Sequence, residues 1–380
     1  MLPSSERLRH PDDWVGEELC GKWRIDELIG VGGMAAVYAA TARDGTRVAI
    51  KLLHAYFADD DDMRRRFLRE GYAANRVKHP AVVSAHADGV APGDLAFLVL
   101  ELLEGAPLDE LVDDEGRLPT DRVLRIADQV LDALAAAHDE GVLHRDLKPE
   151  NLIVDGDDVV RLVDFGIAYL DDQGPGPRMT VQGYAMGTPG FMAPEQARGD
   201  WDEVDGTTDL WSLGATMFAL ITGHDVFMGS PNQVLVASMT KEAPPIHDLA
   251  PDLPAEVAAI IDRSLAFEQG DRWPNARAMQ RAVRHALGLR AANVSTLAPV
   301  TAAERPRTST SWQPLLVAGV GALTIALAGA TEYQHASTSG RGRLAPAAAP
   351  APMLEASALP SSDVCEPGDE VPDCPRDEEH

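Results

Sequence analysis

The string His144-Arg145-Asp146-Leu147-Lys148-Pro149-Glu150-Asn151 sets a carboxylate, an ammonium and an amide on one short stretch. Together these groups suit phosphoryl transfer from a magnesium nucleotide. Asp146 can orient a hydroxyl and accept its proton, and Lys148 can neutralise charge developing on the phosphoryl group. Asn151 is a neutral oxygen ligand for magnesium. Thirteen residues on, Asp164-Phe165-Gly166 offers a second magnesium ligand, Asp164, which can bridge metal and phosphate. Two acids and an amide at this spacing can also form an ordinary polar loop. That reading leaves unexplained what stands upstream.

Upstream is a glycine-rich turn, Gly30-Val31-Gly32-Gly33-Met34-Ala35-Ala36-Val37. Glycines let backbone N–H groups approach phosphates without an intervening side chain. Alone, the turn reads as readily as an ordinary loop. Next comes Val48-Ala49-Ile50-Lys51. From a central strand the Lys51 ammonium can reach α- and β-phosphates if a carboxylate holds it. Glu70 lies on the apolar face of the following helix, where a charge is costly unless paired. A Lys51–Glu70 pair resolves both problems; the competing reading is a solvated lysine and an unrelated glutamate.

Alternating apolar residues flank the glycine turn as in a β-hairpin, with further strands at Arg47–Leu53 and Phe97–Leu100. Met63 to Lys78 reads as a helix with Phe67, Glu70, Ala74 and Val77 on one face, preceded by acidic residues 59–62 that favour a helix N-terminus. From Thr120 to Glu140 the pattern is helical.

The chain has 380 residues, 45% of them hydrophobic, so a sizeable core can form. A net charge of −27 argues against nucleic-acid partners. Residues 1–20 read as a polar lead-in without a signal peptide. Residues 21–288 suit a two-lobed domain, with lobes at 21–104 and 105–288. Residues 289–313, rich in Ala, Thr, Ser, Pro and Arg, read as a flexible linker.

Residues 314–331 form an uncharged apolar run flanked by Trp312 and Tyr333. Leu315 to Thr331 as a helix spans roughly 25 Å, near the ~30 Å of a bilayer core. With no domain around it to be the core of, the run reads as a single membrane span, and 332–380 as a disordered tail. Ala318, Ala322, Ala326 and Ala330 form a small-residue stripe compatible with a homodimer, although the chain is alanine-rich throughout. In the tail, Cys365 and Cys374 are either a disulfide or two idle thiols.

From Trp23 to Leu287 the chain resembles a eukaryotic-like protein kinase, and within that family a bacterial membrane-anchored serine/threonine kinase. The motifs above carry the likeness, together with Gly187-Thr188-Pro189-Gly190-Phe191-Met192-Ala193-Pro194-Glu195, Asp209-Leu210-Trp211-Ser212-Leu213-Gly214 and Asp271-Arg272-Trp273. The glycine turn departs from the family at its third glycine, here Ala35. The resemblance implies an α+β bilobal fold with a β-rich first lobe and a helical second lobe, plus the C-terminal span. It implies ATP and Mg2+ as cofactors and protein Ser/Thr hydroxyls as acceptors; Lys148 and Thr188 mark the serine/threonine class. Gly30, Val31, Gly32, Gly33, Met34, Ala35, Val37, Ala49, Lys51 and Glu70 would line the nucleotide. Glu101 and Leu103 would offer backbone groups to adenine beside Leu100, Arg272 would pair with Glu195, and the helix carrying Asp209 would anchor the catalytic loop from below.

Arg145 would meet a phosphate on the activation segment. Thr180 is the first candidate, with Tyr184 and Thr188 behind it, and Thr188 also suits a structural place beside Asp146. The catalytic part would lie in the cytoplasm, where ATP is, and the tail outside the membrane. The rivals are a nucleotide-binding pseudokinase and a small-molecule kinase. The Ala193-Pro194-Glu195 segment disfavours the latter.

Overall fold

Apolar residues alternate with period two along the first strands, so each strand has two different faces. In the computed structural model, which describes residues 10–165 and 188–296, apart from the side chains of Glu70, Asp113, Asp114 and 289–296, these strands form an antiparallel sheet. They are β1 (Glu18–Leu19), β2 (Trp23–Val31), β3 (Ala35–Ala42), β4 (Arg47–Leu53), β5 (Ala85–Ala91) and β6 (Leu95–Glu101). Their order in the sheet is β1-β2-β3-β4-β6-β5. Val48, Ile50 and Leu52 of β4 pack on one face with Tyr38, Phe97 and Val99. Leu53 packs on the other with Ala35, Leu98 and Phe67. Lys51, two residues from Leu53, shares that second face.

Phe67 belongs to α1 (Asp61–Ala74), whose N-cap Asp60 accepts from the N–H groups of Asp62 and Met63. The helix starts two residues before the expected Met63 and stops well short of Lys78, its last turn giving way to a C-cap at Asn75. Residues 10–19, expected as lead-in, are part of this lobe. Trp14 is 4% exposed and Leu19 1%. The Tyr38 hydroxyl donates to the carbonyl of Pro11 at 3.0 Å. Two buried apolar side chains were hidden in a stretch whose average composition is polar.

The second lobe is helical: α2 (Leu108–Glu115), α3 (Thr120–Asp139), α4 (Pro194–Arg198), α5 (Gly206–Thr222), α6 (Pro231–Thr240), α7 (Ala255–Ser264) and α8 (Ala276–Thr296). α8 continues past the expected start of the linker at 289. Helix α5 is buried nearly all round, as its continuous apolar composition requires. A Cβ on Gly214 would stand 2.6 Å from Ser264 Cβ, so glycine there permits the close approach of α5 and α7. A small sheet, β7 (Ala106–Pro107), β8 (Leu152–Val154) and β9 (Val160–Leu162), lies where the lobes meet. Gly105 has φ +128° and faces the Val154 carbonyl at 2.5 Å from its absent Cβ. No other residue fits that joint. The result is the bilobal protein kinase fold, β-rich then helical.

Among the described residues no helix is long and apolar enough to cross a membrane. The run 314–331, the tail with Cys365 and Cys374, Thr180 and Tyr184 lie outside the described residues.

Candidate active site

The loop between α3 and β8 is held in a conformation its sequence alone would not choose. Arg145 has φ +63°, a region that costs a non-glycine residue on the order of 1–3 kcal/mol. Asp209, on the buried helix α5, offsets that cost. Its carboxylate accepts the N–H of Arg145 at 2.7 Å and of His144 at 2.9 Å. It also accepts from His138 Nε2 of α3 at 2.8 Å. From α4, Gln196 Nε2 donates to the Arg145 carbonyl at 2.7 Å. Burial opposes charge on Asp209, but the hydrogen bond from His138 and the His138 charge hold its carboxyl below the usual range. Burial pushes the fully buried His144 imidazole down. Neutral, it donates Nε2–H to the Val163 carbonyl at 3.2 Å and stacks on Phe165 with ring centroids 4.7 Å apart. That contact ties the loop to the Asp164-Phe165 segment that follows β9.

Held so, the loop brings its polar groups together. Lys148 Nζ lies 3.2 Å from Asp146 Oδ2 and donates to Thr188 Oγ1 at 3.0 Å. Asn151 Nδ2 donates to the Asp146 carbonyl at 2.7 Å and to its Oδ2 at 3.1 Å. With its amide nitrogen turned to Asp146, Asn151 leaves its carbonyl oxygen as the acceptor available to a cation. Across the cleft, Lys51 Nζ donates to Asp164 Oδ1 at 2.7 Å. Lys51 is only 6% exposed. Asp164 has φ +58°. Burial works against its charge, yet the Lys51 ammonium keeps its carboxyl below the ordinary value. The expected Lys51–Glu70 pair involves a side chain outside the described residues.

Among the described residues there is no cluster of three or more His, Cys, Asp or Glu that could hold a metal alone. The oxygens of Asn151 and Asp164 fit magnesium instead, which keeps few protein ligands and completes its shell with phosphates and water.

Above this floor stands the glycine turn. Gly32 N–H donates to the Ala35 carbonyl at 2.9 Å, closing the β2–β3 hairpin. Among the described residues, nothing lies within 4 Å of where a Cβ on Gly30 or Gly33 would stand. Packing against those residues does not call for glycine there, whereas an external group approaching the backbone would. Val37 pairs with Lys51, and Ala49 with Leu100, on the same sheet face. Ala35 is directed into the lobe core instead. Glu101 ends β6, and its carboxylate pairs with Arg161 of β9. Leu103 is half-buried in the segment joining the lobes.

Residues 23–285 match the protein kinase domain family. The chain belongs to the protein kinase family. It is similar to the serine/threonine-protein kinase pkn3 of Myxococcus xanthus, at 37% identity over 72% of this chain and 51% of that one. It is similar to the serine/threonine-protein kinase PknA of Mycobacterium tuberculosis, at 35% identity over 68% of this chain and 60% of that one. Among solved structures, the PknI kinase domain of Mycobacterium tuberculosis (a C20A mutant) superposes with a TM-score of 0.56 at 27% identity. It covers 71% of this chain and 97% of that domain. The chain thus carries a protein kinase domain, and it spans half to three-fifths of the length of these two curated serine/threonine kinases.

Kinase residues outside the cleft fix the segment that ends in Ala193-Pro194-Glu195. Arg272 grips Glu195 with two bonds, at 2.8 and 2.9 Å, and both side chains are at most 1% exposed. Thr208 Oγ1 adds a bond to Glu195 at 2.7 Å, and Trp211 covers the guanidinium at 5.0 Å. The supports His138 and Gln196 were not picked out from the sequence. They act across sequence separations of 71 and 51 residues, which no local pattern reveals.

Proposed function

We propose that this chain transfers the γ-phosphoryl group of ATP to Ser and Thr hydroxyls of proteins, from a membrane anchor, and is activated by phosphorylating its own activation segment. The observation that carries the reading is the Asp146–Lys148–Thr188 constellation at 3.2 and 3.0 Å, opposite the Lys51–Asp164 pair. Bound Mg-ATP supplies the phosphoryl group and the metal charge that stabilises its transfer. Asp146 orients the acceptor hydroxyl and takes its proton on its carboxylate. Lys148 already lies beside that carboxylate, so its ammonium meets the charge that gathers on the group in flight. Thr188 holds Lys148 in place and belongs to the segment against which a peptide acceptor would rest. Asn151 and Asp164 hold magnesium, while Lys51 steadies Asp164 and reaches the phosphates. The turn from Gly30 to Val37, with Ala49, covers the nucleotide, and backbone groups of Glu101 and Leu103 receive adenine.

Autophosphorylation at Thr180, with Arg145 as its counter-charge, and homodimerisation through the alanine stripe complete the reading. So do a single span at 314–331 and an extracytoplasmic tail. The uncharged run between Trp312 and Tyr333 supports the span.

The metal assignment is tested by measuring ATP binding with and without Mg2+. In the wild type magnesium strengthens binding, and Asp164→Asn removes most of that gain. An Asp164→Asn chain whose magnesium dependence equals that of the wild type would overturn the assignment.

A further inference from the structure

The peptide plane between two glycines flips with little steric resistance, through ψ of the first and φ of the second, because neither side has a Cβ to clash. Gly32–Gly33 is such a peptide, and it sits in the turn that would cover the phosphates. Rotated one way it offers the Gly33 N–H to an anion; rotated the other way it offers the Gly32 carbonyl, which an anion repels. One side chain fixes the choice. His54 Nε2 lies 2.8 Å from the Gly32 carbonyl oxygen. A carbonyl only accepts, so Nε2 carries the proton and donates. The backbone N–H of the same residue donates to the Met34 carbonyl at 2.9 Å. His54 therefore holds two carbonyls of the turn at once.

The peptide group is planar and trans, so its N–H points opposite to its C=O. With the Gly32 carbonyl drawn toward the imidazole, the Gly33 N–H points away from it. His54 borders a hollow lined by Pro11, Trp14, Tyr38 and Leu52, on the sheet face opposite Lys51. The Gly33 N–H is thereby aimed to the side of Lys51, where the phosphates would lie. The N–H groups of Gly33 and Met34 make no hydrogen bond among the described residues. The segment Pro11–Trp14 walls in the hollow beside the imidazole, although it precedes the family match at residue 23.

We propose that His54 is a positioning residue for the nucleotide phosphates: a latch that holds the glycine turn with the Gly33 N–H, not the Gly32 carbonyl, facing the anion. The proposal rests on the kinase reading of the site. It is tested with the full chain by measuring Kd for adenosine, Mg-ADP and Mg-ATP in the wild type, His54→Phe and His54→Gln. Phe keeps the ring without a donor, and Gln restores one. The loss of one hydrogen bond predicts that His54→Phe binds ADP and ATP roughly 3- to 10-fold more weakly. Adenosine binding stays at the wild-type value, and His54→Gln recovers most of the loss. His54→Phe binding all three as the wild type does would overturn the latch alone. So would parallel weakening for adenosine, which marks a merely structural role. A wild type that gains no affinity from adenosine to ATP would overturn the phosphate role of the turn, and the latch with it.

Discussion

Asp209 shows how much one buried carboxylate can organise. It receives the two N–H groups that hold Arg145 in its left-handed conformation, and it shares a hydrogen bond with His138. The pH consequence follows from directions of shift. Asp209, Asp164 and Glu195 are each held below their ordinary values despite burial. Their contribution to stability is complete above the unfolded values, about 3.9 for Asp and 4.3 for Glu, and is lost as pH falls through the lower folded values. His144, pushed down by burial, loses its contribution as pH falls below its unfolded value of about 6.5. His138 is displaced upward: burial opposes its charge, but Asp209 outweighs it. Its contribution is present below about 6.5 and fades as pH rises through the folded value. Urea unfolding between pH 8 and pH 3 is therefore expected to show a midpoint that drops on the acid side. Asp209→Asn should be less stable at neutral pH and less sensitive to acid. Equal acid slopes in the two proteins would contradict the role given to Asp209.

At the scale of elements, the Glu195–Arg272 pair is a buried, two-bond tie in the second lobe. Both groups are buried and bonded twice to each other, with Thr208, the Ala266 carbonyl and the Phe267 carbonyl completing the shell. Arg272→Ala would leave a buried carboxylate without its cation, at a cost of about 3–5 kcal/mol. Denaturant unfolding should show that loss as a lower midpoint. Replacing both partners at once, Glu195→Leu with Arg272→Met, should cost much less, and a double variant as unstable as the single one would contradict this. The pair was readable from its motifs. So were β4, whose run of Val, Ala, Ile and Leu matches the observed bounds, and α3. Strand β5 escaped notice because Ala-His-Ala-Asp-Gly-Val-Ala has little strand propensity; it forms by pairing with β6 at the sheet edge. The end of α1 was overextended because an apolar spacing persists through Val77, which packs on the second lobe's core after the helix has ended.

For the whole molecule, the β-rich-then-helical fold was legible in the sequence, and four short motifs marked the polar residues that the cleft brings together, because each motif sets particular residue types at fixed spacing. The packing of Trp14 and Leu19 under the first lobe could not, since two apolar residues in a polar stretch form no period. The membrane reading makes its own prediction. The full chain should stay in the membrane pellet through an alkaline carbonate wash, and removing 314–331 should release it to the supernatant. Release of the intact chain would contradict the anchor.

The most direct measurement is of phosphate itself. The full chain and its Asp146→Asn variant are incubated with Mg-ATP and a generic protein acceptor, then compared by intact mass and peptide mapping. The wild type is predicted to carry phosphate on Ser or Thr and to label the acceptor. Asp146→Asn should bind ATP but transfer 10²- to 10⁴-fold more slowly. A wild type that binds ATP yet places no phosphate on itself or the acceptor, or a variant that transfers as fast as the wild type, would contradict the proposed catalysis.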